Sequence, residues 1–392
     1  MARPVFPPGV ALLIAAGRQS LDPSTHASTV PAAPEDWQAA AEAAGRHGMS
    51  AWLSAALRRW PDAPRSVRDQ AGAAARVQAA RALRGLAELS AVVTLLRDAG
   101  IEAVALKGPL FAQWVYGDLG SRRFADLDLL VERQERARAV EVLRPAGYTL
   151  AAGISNAAAA VIYAGVGAWP LGHADAFPLD LHWQPQALRF GSPLDSSDVL
   201  RDSIAVSTAG CDVRIPSPTH AATLTLVHAA KHLWASLEIV FSIAHLMRRD
   251  DVDWPRVRAL TARADAWSGA AAGLFLAGEI FGCGLPEPLR SIPRPRAVPR
   301  LQEAAREFLS MADVADTPRL AEFRAHRAAL DTRVSRIRYA AWRLLAPTPL
   351  ESSWCRLPDG LAALYVPVRL VRLSLVVVRG VVSAILGARR AV

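Results

Sequence analysis

LKGPLFAQWVYGDLGSRRFADLDLLV (106–131) is the stretch on which the fold of this chain turns. IEAVAL (101–106) leads into it as a short apolar strand. GPLFAQWVYGD then opens a helix, ADLDLLV (125–131) is a second strand, and ERQERARAVEVLRPAG (132–147) is a helix stopped by Pro145 and Gly147. This β-α-β-α succession, with further strand candidates around 161–168 and 177–183, predicts a small mixed sheet.

The second strand carries an anomaly. Side chains alternate along a strand, so Asp126 and Asp128 emerge on one face while Leu127 and Leu129 pack on the other. Two like charges on one face repel, and a divalent cation that takes oxygen from both is the usual reason for such a pair. The alternative is an edge strand with two solvated carboxylates. Further along, Asp180-Leu181-His182-Trp183 repeats the pattern, with Asp180 and His182 sharing a face. A third carboxylate joins the first two if these strands are neighbours; otherwise Asp180 is structural.

Lys107-Gly108 falls at the strand-to-helix junction. Glycine lets the backbone come close to a ligand, and the helix start offers free amide donors to an anion. Pro109 is welcome in a first helical turn but removes one donor. Lys107 adds a compact positive charge, suited either to phosphate or to an ion pair with Asp126. Of the 45 basic residues only Lys107 and Lys231 are lysine, so each lysine retained among 43 arginines is a clue. Lys231 is accordingly a second candidate for phosphate contact, with an ordinary surface lysine as the alternative.

Outward from this centre the chain is helical. Residues 35–99 read as helix, with Leu83, Leu86, Leu89, Val93 and Leu96 as one apolar stripe ended by Gly100, and arginines 65, 68, 76, 81 and 84 as its solvated side. After Ser217, THAATLTLVHAAKHLW and SLEIVFSIAHLMRR are apolar helices, and the proline-rich connector 286–299 precedes a last helical portion. The expected organisation is an N-terminal helical portion (1–100), a core (101–216) and a C-terminal helical portion (217–392). His228 and His232 lie one helical turn apart, a zinc-binding geometry if a third ligand arrives; without a glutamate beside them they do not make a metalloprotease motif. They read otherwise as satisfied histidines or as contacts to nucleotide or acceptor.

Composition narrows the classes. With 392 residues, 52% apolar and 21% charged, the chain is globular rather than disordered. A net charge of +9 suits phosphate-bearing partners or an anionic membrane surface. Three distant cysteines, Cys211, Cys283 and Cys355, make neither a disulfide framework nor a metal knuckle and fit a reducing cytoplasm. The run GVALLIAAG (9–17) is short and no A-x-A site follows, so it reads as a buried helix rather than an export signal. The tail 365–392 is apolar but broken by Arg369, Arg372 and Arg379; it cannot span a bilayer and is either a docked helix or one lying at the inner membrane surface. There is no aromatic-plus-basic strand motif, so nucleic acid is not the expected acceptor.

LKG, the spaced DxDLLV, LDLHW (179–183), HAAKHLW (228–234) and HGM (47–49) together resemble the uncharacterised nucleotidyltransferase family of the polymerase-β superfamily. Some genes of that family accompany lasso-peptide and other natural-product clusters. The resemblance implies an α+β, helix-rich protein with a polymerase-β-like core flanked by helical portions. It also implies two Mg²⁺ ions (or Mn²⁺) held by Asp126, Asp128 and Asp180, with an NTP as co-substrate. The reaction it implies moves a nucleoside monophosphate to a hydroxyl of a small molecule or peptide, with Asp180 as candidate base and Arg122 balancing phosphate charge. Lys107-Gly108 stands where most of the superfamily has Gly-Ser, and Ser242 where the family has an aspartate. Alternatives are a non-catalytic nucleotide-binding module or phosphoryl transfer on the same fold.

Overall fold

The computed structural model describes residues 6–24, 33–150, 154–187, 194–208, 211–311 and 319–388. Seven strands form one mixed sheet: β1 (Ala103–Ala105), β2 (Leu127–Val131), β3 (Thr149–Leu150), β4 (Ala168–Gly172), β5 (Leu179–His182), β6 (Ile204–Thr208) and β7 (Cys211–Ile215). Their order is β3-β4-β5-β2-β1-β7-β6. β2 runs parallel to β5 and β1 parallel to β7; the remaining pairs are antiparallel. The α+β, helix-rich class expected from the sequence is the one observed.

Strand alternation divides the sheet into two faces. Leu127, Leu129, Leu179 and Leu181 pack with Leu86, Leu89, Val93 and Leu96 of the long helix Arg65–Asp98. On the other face Val104 and Leu130 pack with Leu224 and Val227 of the helix Pro218–Lys231. Asp128 and Leu130 share parity, so the register Asp128↔Asp180 and Leu130↔His182 turns Asp128, Asp180 and His182 toward this second face.

Helices from both ends of the chain build a separate, larger core. Val10, Leu12 and Leu13 of the helix Pro8–Leu21 are buried with Trp37, Phe241, Leu276 and Ala277. A fully buried leucine contributes about 1.5–3 kcal/mol relative to an exposed one. The apolar run 9–17 is therefore core helix, and it approaches its neighbour closely: a Cβ on Gly9 would meet the Ala39 carbonyl carbon at 2.6 Å.

Several expectations need correction. Leu83 is 60% exposed; the buried stripe on its helix is Ala82, Leu86, Leu89, Val93 and Leu96, alternating by four and three, and Leu83 is one residue off it. Its arginines 65, 68, 76, 81 and 84 are exposed, as the sequence predicts, and three of them also reach neighbouring groups. Arg68 donates to the carbonyls of Pro61 and Ala63 at 2.7 Å each, Arg81 donates to the Phe124 carbonyl at 3.2 Å and sits over the Phe177 ring, and Arg84 reaches the Asp175 carbonyl. Residues 161–168 are not a strand: Val161 and Ile162 close the helix Asn156–Ile162, capped by Ser155, and the strand begins at Ala168. Cys283 and Cys355 are free thiols, while the side chain of Cys211 and residues 389–392 of the tail lie outside the described residues.

His47 of the HGM stretch and His245 are locked into the helical core. His47 Nδ1 accepts from the Leu237 amide at 3.4 Å, and the His245 ring lies edge-on to Tyr116 and Phe241. Burial first, then Arg46 for one and Arg248 for the other, lowers each imidazole to about 4. Both are neutral when folded and gain a proton near 6.5 when unfolded. The stability they contribute is complete above about pH 6.5 and is lost as pH falls toward 4, up to about 3 kcal/mol for each. Urea midpoints at pH 7 and pH 4.5 are expected to show this drop, flattened in the double variant His47→Gln/His245→Gln. An unchanged slope in that variant would assign acid lability to other groups.

Candidate active site

The cavity of about 390 Å³ between the second face of the sheet and the helix Pro218–Lys231 is lined by Lys107, Arg122, Asp126, Asp128, Asp180, His182, His228, Lys231 and His232. Nine of the ten residues singled out in the sequence thus meet at one place. Gly108, the tenth, does not line it.

Asp128 is the buried centre. Its Oδ1 accepts from Lys107 Nζ at 3.2 Å and lies 3.0 Å from His182 Nε2, and its side chain is 8% exposed. Burial alone would raise its carboxyl. The neighbouring Lys107 ammonium and the His182 contact outweigh burial and hold it far below the usual carboxylate range. Lys107 therefore pairs with Asp128 rather than Asp126.

The like-charge repulsion read from the sequence falls on the other two carboxylates. β2 begins at Leu127, so Asp126 stands just before the strand, half-buried. Its carboxyl is raised by burial first and then by Asp128 and Asp180. Asp180 is raised by burial, with Asp128 adding to it against the pull of His182 and the two lysines. The ligating atoms of Asp128, Asp180 and His182 all lie within 4.8 Å of one another, a spacing that suits one metal ion.

Gly108 serves the backbone. At φ +91° and ψ −152° it occupies a region open essentially to glycine alone, although a Cβ there would touch nothing within 4 Å. This kink turns the chain out of β1 and into the helix Pro109–Tyr116 immediately after Lys107. Gly108→Ala is expected to cost about 1–3 kcal/mol in thermal unfolding through strain alone. Nucleotide affinity should fall with it, because Lys107 and the helix start move together; an alanine variant with wild-type melting would show the strain to be relieved elsewhere.

From the opposite wall, the HAAKH stretch ends its helix in an uncommon way. Leu233 and Trp234 both take left-handed conformations, at φ +54° and +53°, and Trp234 is buried. Two such non-glycine residues in succession cost about 1–2 kcal/mol each, and this turn holds Lys231 and His232 at the cavity. His228, one turn back, is driven well below its usual value by burial first and then by Lys107, so it faces the cations as a neutral imidazole. The His228 and His232 rings are 4.3 Å apart.

Arg122 has a protein partner. Glu238 Oε1 accepts from its Nε at 3.0 Å and from the Tyr116 hydroxyl at 3.0 Å, and Ser242 Oγ donates to the same oxygen at 2.9 Å. Burial opposes the guanidinium's charge, yet Glu238 keeps it firmly ionised. Ser242 was noted only for its family position, and Glu238 and Tyr116, which join it around Arg122, were not singled out. The signal was there: Glu238 is a lone acid inside the apolar run LEIVFSIAHL.

Paired carboxylates on neighbouring parallel strands, a lysine at the adjacent strand-to-helix turn and basic residues opposite thus line one cavity of an α+β fold. The chain belongs to the uncharacterised nucleotidyltransferase family, whose model matches residues 33–282. It is an enzyme of the nucleotidyl-transferring kind. No curated protein matches it.

Proposed function

We propose that the protein transfers a nucleoside monophosphate from an NTP to a hydroxyl of a small molecule or peptide. The observation that carries this reading is the convergence of three carboxylates and both lysines of the chain on one cavity. Asp128, Asp180 and His182 would hold Mg²⁺, or Mn²⁺, which tolerates the imidazole donor better, and Asp126 at the strand's edge would contact a second ion. A divalent ion there would neutralise charge on the α-phosphate and acidify the attacking hydroxyl.

The chain's own groups do the rest. Lys107 Nζ lies on Asp128 Oδ1, an oxygen that would also serve a cation, and its ammonium would be the group that turns to a phosphate oxygen. Lys231 supplies charge from the opposite wall. Asp180, lining the cavity beside Asp128, would be the base for the acceptor's proton. Arg122, committed to Glu238, orients that wall rather than gripping phosphate alone.

Calorimetry with a non-hydrolysable NTP analogue should detect binding that depends on Mg²⁺ or Mn²⁺; no binding with either ion sinks the reading. Release of pyrophosphate during turnover marks nucleotidyl transfer, whereas release of NDP would mark phosphoryl transfer on the same site.

A further inference from the structure

The charge of this chain is concentrated at one end. Residues 333–392 hold ten arginines, no lysine and only two acids, Glu351 and Asp359, so they carry +8 of the net +9. Three α-helices occupy this stretch among the described residues, Arg333–Leu345, Pro349–Trp354 and Tyr365–Ala388, with a 3-10 turn at Asp359–Leu364 leading into the last. The first buries Ser335 and Tyr339 but turns outward Val334 (71% exposed), Ile337 (67%) and Leu344 (53%), a stripe at helical spacing. On the last helix Val371, Leu375 and Val378 repeat such a stripe in the open, while Tyr365 and Arg369 are buried against the protein. Leu350 and Trp354 are exposed on the short helix between them.

Among the described residues no helix is long and apolar enough to cross a membrane. What these helices offer is aliphatic side chains and an indole in the open, with Arg333, Arg338 and Arg356 exposed among them. Glu351, the buried acid, is already taken by Arg372 at 2.5 Å and Arg369 at 3.6 Å, so it does not offset the exposed arginines.

We infer that the helices 333–345, 349–354 and 365–388 form a docking face for an anionic lipid bilayer. Apolar stripes that enter the headgroup boundary, flanked by arginines and almost free of acids, match that partner in both hydrophobicity and charge. A second copy of the chain would bring +8 against +8, a repulsion that a lipid surface turns into attraction. This face adjoins an apolar groove of about 560 Å³ lined by Ala164, Trp342, Leu345 and Val366. The loop that supplies Ala164 and Gly165 to the groove supplies Val166 to the catalytic cavity. Docking would therefore place one wall of the cleft beside the lipid.

Flotation of the full chain tests this, using vesicles of phosphatidylcholine mixed with phosphatidylglycerol and vesicles of phosphatidylcholine alone. The protein should float with the mixed vesicles, stay down with the neutral ones, and be released by salt. Ile337→Asp/Val371→Asp should abolish flotation, and Arg333→Gln/Arg338→Gln should weaken it roughly twenty-five-fold, about fivefold for each charge removed. Both variants alter exposed side chains, so melting temperature and NTP-analogue binding should stay at wild-type values, which separates loss of docking from loss of fold or of the nucleotide site. Three results would overturn the inference: no flotation of the wild type with anionic vesicles, equal flotation with neutral ones, or a dimer in light scattering that Ile337→Asp/Val371→Asp breaks while vesicles go unbound.

Discussion

Asp128→Asn is expected to lower turnover roughly a thousandfold or more and also to destabilise the fold. The loss of activity follows from its place: it is the one carboxylate touched by both Lys107 and His182, and it belongs to the cluster whose donors can share an ion. The loss of stability follows from what it leaves behind. Removing one partner of a buried pair strands the other, a cost of about 3–5 kcal/mol when both are fully enclosed. The Lys107 side chain is 26% exposed and can turn to water, so a loss of about 1–3 kcal/mol is expected here. Asp126→Asn should behave oppositely in stability. Its charge is opposed by burial and then by Asp128 and Asp180, so neutralising it should raise the melting temperature at pH 7 while turnover still falls. Thermal unfolding of the two variants beside a pyrophosphate-release assay checks both signs. Equal losses of stability would mean that Asp126 has a cationic partner as strong as Lys107.

This contrast also shows what could be read in the chain and what could not. Alternation in LDLHW was enough to place Asp180 and His182 on one face of their strand, because the side-chain period is fixed by strand geometry, but that Asp128 shares this face follows only from the pairing of β2 with β5. The choice of Lys107's partner depends on where β2 begins, and strand ends are set by pairing rather than by local pattern. β4 begins at Ala168, where the expected strand ended, and it tolerates Pro170 because its neighbour β3 is only two residues long and pairs with Leu171 and Gly172 alone, so no donor is needed there on that side. β6 and β7 were not predicted, although along 212–215 the buried Val213 and Ile215 alternate with Asp212 and Arg214. The Glu238–Arg122 pair spans 116 positions along the chain. No local pattern encodes such a distance.

Asp180→Asn should separate binding from chemistry. Asp128 keeps its lysine and histidine contacts in this variant, and both cavity lysines are untouched, so affinity for an NTP analogue with Mg²⁺ should stay within about tenfold of wild type. Turnover should fall roughly 10²–10⁴-fold, the range that a positioned general base supplies. His182→Ala provides the contrast. Its imidazole touches Asp128 at 3.0 Å and adds one donor to the cluster, so its loss should weaken cation affinity by about 10–100-fold. Saturating Mg²⁺ or Mn²⁺ should then restore most of the His182→Ala turnover but little of the Asp180→Asn turnover, because no concentration of cation replaces a proton acceptor. Full rescue of Asp180→Asn by cation would reduce Asp180 to a metal ligand and move the base elsewhere in the cavity. Collapse of nucleotide binding in Asp180→Asn would instead make it an equal partner of Asp128 in holding the ion.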